Sequence, residues 1–320
     1  MSIAQQRLSC ANIYDTTNPE WFVADSRQNS RIGSGIVFQA CDRQPAHENL
    51  HWHTSCLFSA MKSAKVQLSV RSVRKSFSGK SGQVPVLEDL SFDINESDFV
   101  SIIGPSGCGK TTIFNIIAGL IEPDSGMMIF RGEEVDSLRG RVGYMMQKDL
   151  LFPWRTVLGN VLLGLETRGV DSRKAEEKAR EYLDRFGLAG FENAYPKTLS
   201  GGMRQRVALI RTLIMDPDIL LLDEPFSALD YQTRLYLEGV LKDAVQTYNK
   251  TVILVTHDID EAVALSKRVV VLSGRPARVK VVHDIDISAT SPIAARSDSQ
   301  FSGYFHTLCS ELDIQTEKTA

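Results

Sequence analysis

No run of apolar residues in this chain approaches the roughly 18 needed to span a bilayer, so no segment is expected to cross a membrane. The first residues, Met1 to Glu20, are polar and lack the hydrophobic stretch of a signal peptide. Cysteine is scarce: five residues, odd in number and scattered at Cys10, Cys41, Cys56, Cys108 and Cys309, form no disulfide framework. A reducing, cytosolic setting is the simplest inference. There is no basic excess either. Lys+Arg 36 against Asp+Glu 39 leaves a formal net charge of -3, and a phosphate-reading surface usually shows as a surplus of positive charge, so nucleic acid is not expected as a partner. What is there is ordinary for a globular protein: 320 residues, 43% apolar and 23% charged, enough for one or two domains.

Composition changes near Met61. The segment before it holds three of the six histidines, three of the five cysteines and two of the three tryptophans, with little periodicity of either kind. From Val66 onward the pattern is different. Val66, Leu68 and Val70 alternate with Gln67 and Ser69, a period-two strand signal. Phe99 to Ile103 is a short apolar run that leads into a glycine-rich loop, followed by a helix-like stretch from Thr111 to Leu120. Ile219 to Leu222 and Val252 to Val255 are continuous apolar runs of strand length, the pattern of strands covered on both faces. Just before the first of them, Met203, Val207, Ile210 and Ile214 form one apolar stripe at helical spacing. Asp171 to Phe186 is charged and helix-favouring. Strands alternating with helices predict an α/β fold with a mainly parallel sheet. No internal repeat is present.

The loop Gly104-Pro105-Ser106-Gly107-Cys108-Gly109-Lys110-Thr111 fits the phosphate-binding pattern G-x-x-x-x-G-K-[ST] in full, between a strand and a helix as the pattern requires. Glycines let the backbone curl so that its N–H groups face phosphate oxygens, and the helix that begins near Lys110 adds its positive end. Lys110 is placed to reach the β- and γ-phosphates, and the hydroxyl of Thr111 to bind Mg²⁺; Thr112 follows at the mouth of the same helix. Cys108 falls at a variable position and is given no chemistry. Downstream, Ile219-Leu220-Leu221-Leu222 delivers two adjacent carboxylates, Asp223 and Glu224, at the end of a buried strand, the edge where ligands bind in open α/β sheets. Asp223 suits the magnesium shell and Glu224 the attacking water, as a general base.

A third element makes a family resemblance. Leu199-Ser200-Gly201-Gly202-Met203-Arg204-Gln205-Arg206 resembles the signature motif of ATP-binding cassette (ABC) ATPases, with Met203 in place of the more common glutamine. Phe77, the phosphate loop, Gln147, the signature, Asp223-Glu224, Ser227-Ala228-Leu229-Asp230 and His257 occur in the order of that family's motif set, over roughly residues 66–283. The resemblance implies a P-loop NTPase of the ABC type, a mainly parallel core with an antiparallel β subdomain and an α-helical subdomain. Read on its own, Ser200 is a good helix N-cap, and a helix N-terminus opened by Gly201 and Gly202 is an anion site. The family implies that Ser200 and Gly202 face the γ-phosphate held by another subunit, a second copy or a paralogous cassette, in a head-to-tail dimer. By the same resemblance Phe77 stacks on adenine and Gln147 serves as sensor near Mg²⁺. His257 contacts the γ-phosphate, and Asp230 belongs to the subunit contact.

Met146 to Trp154 follows a strand-like stretch, Val142 to Met146, and its Leu150-Leu151-Phe152-Pro153-Trp154 run reads equally as an exposed aromatic patch that receives another protein or as core. In ABC transporters that region accepts a short helix of the membrane permease. The Leu-Phe-Pro-Trp form, with Leu163-Gly164-Leu165-Glu166 soon after, resembles cassettes of the nitrate, sulfonate and taurine importer group. Cassettes serving a pyrimidine precursor of thiamine are similar, so the cargo stays open. The implied partners are a separate permease and a periplasmic or extracellular solute-binding protein, and the implied place is the cytoplasmic face of the cell membrane, held peripherally. A non-transport ABC ATPase is the rival. Repair ATPases of the family carry a very long coiled coil, whereas fewer than about a hundred residues and no sustained heptads separate Gly104 from Ser200.

Residues 1–60 are expected to be a disordered extension, or upstream sequence with Met61 as the true start. Cys41, His47, His51, His53 and Cys56 are possible zinc ligands, but their spacing matches no standard ligand pair. Residues 284–320 form a short tail in which Phe301, Tyr304, Phe305, Leu308 and Leu312 recur at roughly helical spacing, expected to pack back on the cassette.

Overall fold

A computed structural model describes residues 65–80, 82–227 and 229–313. The N-terminal segment, with its start-site and zinc questions, lies outside these residues. Two sheets organise the rest. Strands β1 (Val66–Gly79), β2 (Gly82–Asn95), β4 (Ser125–Phe130) and β5 (Glu133–Val135) pair antiparallel in the order β2-β1-β4-β5. Strands β3 (Phe99–Ile103), β6 (Val142–Met145), β7 (Ile219–Asp223), β8 (Thr251–Val255), β9 (Arg268–Leu272) and β10 (Val279–Asp284) form a second sheet, ordered β10-β9-β3-β8-β7-β6. All neighbours in it are parallel except the edge pair β10 and β9.

The continuous apolar runs end up in the middle of this second sheet because each of its faces has its own core. Leu220, Leu222, Val252 and Leu254 point to one side, towards α2 (Val157–Thr167), α3 (Ser172–Arg185), α4 (Gly201–Leu213) and α5 (Tyr231–Thr247). Ile219, Leu221, Ile253 and Val255 point to the other, where α1 (Lys110–Ile117) and the antiparallel sheet meet them. An alternating run would leave one of these faces polar. Helix α1 stops earlier than the Thr111 to Leu120 stretch suggests, because Gly119 takes a left-handed φ of 71°.

The tail is tied down. Phe301, Leu308 and Cys309 of α8 (Phe301–Glu311) bury against Ile259, Ala262 and Val263 of α6 (Ile259–Leu265). Arg296, which ends α7 (Pro292–Arg296), makes a two-pronged contact of 2.7 and 3.1 Å with Glu238 of α5, a carboxylate with no exposed surface. Breaking such a buried pair from one side costs on the order of 3–5 kcal/mol. Here it fixes the last helices to the body of the cassette.

Candidate functional site

Parallel strands in one sheet bring their C-terminal ends to one edge, and that edge collects the chemistry. β3 runs into the phosphate loop, β6 leads to Gln147, β7 ends on Asp223 and β8 leads to His257. A cavity of about 440 Å³ opens there, lined by Phe77, Ser106, Gly107, Gly109, Lys110, Thr111, Thr112, Gln147, Asp223 and Glu224, together with Val86, Val255 and Arg275. Gly104 and Cys108, in the loop itself, are buried and do not line the cavity. Burial of the Cys108 thiol pushes its pKa up, away from the reactive thiolate form. Gly109 is needed for two reasons: its φ is 128°, and a side chain there would start 2.8 Å from Leu87 Cδ2.

Lys110 is buried, and its ammonium donates to the carbonyls of Gly104 at 2.8 Å and Pro105 at 3.0 Å, inside the curl of the loop. The Thr111 hydroxyl donates to Asp223 Oδ2 at 3.0 Å. Burial raises the pKa of Asp223, and the neighbouring Glu224 charge adds to the rise, while Thr111, Tyr144 and Lys110 oppose it. A hydroxyl and a desolvated carboxylate side by side are hard oxygen donors, a set that fits Mg²⁺, whose charge would favour the ionised form of Asp223.

Glu224 follows β7 in a left-handed conformation, φ 49°, uncommon for a residue with a side chain. The strain is held by its backbone, whose N–H donates to Val255 O at 2.8 Å while its own carbonyl accepts from the Ser227 hydroxyl at 3.0 Å. The turn sets the carboxylate between two partners. Gln147 Nε2 donates to Glu224 Oε2 at 2.8 Å, and His257 Nδ1 lies 3.3 Å from Glu224 Oε1. Gln147, Glu224 and His257, far apart in sequence, thus form one contact set.

Ser200, Gly201, Gly202 and Asp230 do not line this cavity. Ser200 is exposed and caps α4, its hydroxyl accepting from the Met203 N–H at 3.2 Å. Asp230 caps α5 through Thr233, whose hydrogen bonds hold the Asp230 carboxyl below its ordinary range. The signature helix is also tied to the segment after Gln147. Arg204 bonds Asp149 at 3.0 Å, and Arg211 donates to the carbonyls of Asp149 and Leu150 at 2.7 and 2.8 Å.

The Leu150 to Trp154 run is not uniformly exposed as its composition suggests. Trp154 is 71% exposed and Leu150 52%, but Leu151 turns into the core. Fully buried Asn160 is responsible: its amide oxygen accepts from the Phe152 N–H, and its NH₂ donates to the carbonyls of Phe152, Arg155 and Thr156. Sequence patterning missed Asn160, along with Tyr144, whose hydroxyl is 3.5 Å from Asp223, and Arg275 on the cavity wall. None of the three sits in a recognisable local motif.

A phosphate loop, a hydroxyl–carboxylate pair and a carboxylate held by Gln and His at one sheet edge define a nucleotide-hydrolysing P-loop site. The family model described as ABC transporter matches residues 87–227. The chain is 44% identical over 248 residues to the ABC transporter ATP-binding protein YtlC of Bacillus subtilis, covering 77% of this chain and 95% of that one. It is 44% identical over 215 residues to an aliphatic sulfonates import ATP-binding protein, SsuB, of Bacillus cereus, covering 67% and 84%. The dimeric structure of the ABC transporter cassette MJ0796 matches with a TM-score of 0.62 at 32% identity, over 68% of this chain and 98% of that one. A post-hydrolysis state of the same cassette, bound to ADP and Pi, matches with the same TM-score. The chain belongs to the ATP-binding subunits of ABC transporters, and it is an ATP-hydrolysing transport ATPase.

Proposed function

We propose that this chain pairs head to tail with a second copy, or with a paralogous cassette, and that ATP hydrolysis at the shared sites energises import of a small sulfonate-like solute through a separate permease. The observation that carries the reading is a division. Lys110, Thr111, Asp223, Glu224 and Gln147 line one cavity and His257 reaches it through Glu224, while the anion-competent N-terminus at Ser200 neither lines it nor bonds a residue that does. A signature that does not line its own chain's cavity fits the γ-phosphate of a partner's ATP, and the structural relative MJ0796 is dimeric.

In this reading Phe77 stacks on adenine, and the phosphate loop from Gly104 through Thr112 takes the phosphates, with Lys110 neutralising their charge. Thr111, Asp223 and Gln147 would hold Mg²⁺, which would supply positive charge to the phosphates. Glu224 orients the water and takes its proton as the water oxygen attacks the γ-phosphorus and the bond to ADP breaks. Gln147 and His257 fix the carboxylate that does this. Ser200, Gly201 and Gly202 of the partner close the site, with Asp230 at the seam. ATP favours the closed pair because those contacts exist only there, and loss of phosphate reopens it.

No helix among the described residues is long and apolar enough to cross a membrane; in this reading the cassette is a peripheral subunit that works on the cytoplasmic face of a separate permease. Trp154 and Leu150 are the surface offered to the permease, and the bonds from Arg204 and Arg211 join that surface to the signature helix. A solute-binding protein would deliver the cargo. For the cargo itself the support is the SsuB relatives at 42–44% identity. Uptake of a labelled alkanesulfonate, nitrate or a thiamine-precursor pyrimidine by vesicles holding the complex tests it; exclusive uptake of a solute other than the sulfonate sinks the cargo reading. For the docking surface, Trp154→Ala should fold with an unchanged melting temperature yet lose co-purification with the permease, since a buried interface tryptophan contributes about 2 kcal/mol or more. Retained co-purification removes Trp154 from the interface.

A further inference from the structure

His257 makes its contact with Glu224 from an exposed position just past β8, so its own side chain has little packing to hold it. The residues on either side of it are held instead. Thr256 is buried; its hydroxyl donates to Glu261 Oε2 at 2.7 Å and accepts from the Asp258 N–H at 3.0 Å. Asp258 caps α6, one carboxylate oxygen accepting from the Glu261 N–H at 3.3 Å. Its other oxygen accepts from Arg234 Nη1 at 2.6 Å.

Arg234 comes from a different element, the first turn of α5. Its guanidinium also lies 3.7 Å from Glu261 Oε1, so one cation faces both carboxylates that flank the His257 segment. Burial pushes Glu261 up to about 7, with Asp258 and Glu238 raising it further and Thr256 and Arg234 pulling it down. Arg234 is therefore the counter-charge of a desolvated acidic cluster. Its Nε is buried with no partner, and its one side-chain hydrogen bond among the described residues is the bond to Asp258. The backbone N–H of Arg234 donates to the carbonyl of Asp230, the residue that begins α5.

The geometry assigns Arg234 as a positioning residue for hydrolysis: through Asp258 it fixes the backbone that presents His257 to Glu224, and it does so from the helix that starts at Asp230. It touches neither nucleotide nor the reacting atoms. Because it directly follows Thr233, whose N–H the Asp230 cap holds, and stands one turn from Asp230, a shift of α5 at the subunit seam would reach His257 through this one guanidinium. The inference rests on the hydrolytic role given above to His257 and Glu224.

The test is steady-state ATP hydrolysis by the full-length chain, with kcat and KM measured separately. Arg234→Gln should lower kcat about 10- to 100-fold, the scale of an ångström-level misplacement, while KM for ATP stays within about twofold, since the phosphate loop is untouched. Arg234→Lys, which keeps a cation opposite Asp258 without the planar fork, should recover most of the loss. Asp258→Asn keeps the α6 cap, and in the Arg234→Gln background it should add little further loss, because both changes cut the same link. His257→Ala, measured alongside, should be as slow as Arg234→Gln or slower. Normal turnover in His257→Ala overturns the role on which the inference rests. A slow His257→Ala with normal turnover in Arg234→Gln overturns the inference alone. A fall in kcat accompanied by a raised KM and no recovery in Arg234→Lys marks a general structural role and also overturns it.

Discussion

Glu224→Gln should hold ATP in a stable pair of chains and turn over about 10²- to 10⁴-fold more slowly than the parent, the range for loss of a general base. The substitution is nearly isosteric, so the left-handed turn at residue 224 and its backbone bond to Val255 should survive. The amide keeps one oxygen to accept from Gln147 Nε2 and turns its NH₂ towards His257, but the group can no longer take a proton from water. Size-exclusion chromatography with ATP and Mg²⁺ reads the pairing, and phosphate release reads the turnover. A variant that hydrolyses at the parental rate takes Glu224 out of the mechanism.

Lys110→Ala should bind ATP between about thirtyfold and a few thousandfold more weakly, because truncating one partner of a buried charge contact costs about 2–5 kcal/mol. Two effects add. The cation that meets the phosphates is gone, and the carbonyls of Gly104 and Pro105 lose the ammonium that lies between them. Those carbonyl dipoles then face the ligand's negative charge uncompensated. Titration calorimetry with ATP compares the two proteins directly. Equal affinities would mean that Lys110 is not a phosphate ligand.

These two residues were legible in the sequence for a physical reason. The phosphate loop is contiguous, and its requirements, glycines for curvature and Lys–Thr at a helix start, are local. Asp223 and Glu224 were legible because β7 is buried on both faces and therefore apolar throughout, so a pair of acids marks its end sharply. β2 gave little pattern: it carries Pro85, and its register against β1 slips at several points, which breaks strict alternation. β10 is a half-buried edge strand with a weak apolar signal. The Leu150 to Trp154 run misled in part because burial of Leu151 depends on Asn160, eight residues past Phe152 and visible only as a tertiary contact. Arg234 was silent for the same reason. An arginine on a helix is ordinary until the helix is seen lying against the residues that flank His257.

The composite site is the claim on which the rest stands, and complementation between two inactive variants measures it most directly. Lys110→Ala removes the phosphate loop's cation. Gly201→Asp puts a carboxylate at the signature, where a side chain meets only the far end of Arg204 at 3.9 Å and should fold without strain. Each variant alone should be inactive, since both sites of the pair are damaged. Mixed, they should regain hydrolysis through pairs in which the intact loop of one chain meets the intact signature of the other, approaching about a quarter of the parental rate if chains pair at random and sites act independently. A mixture as inactive as its components, with mixed pairs shown to form, would contradict a site shared between chains.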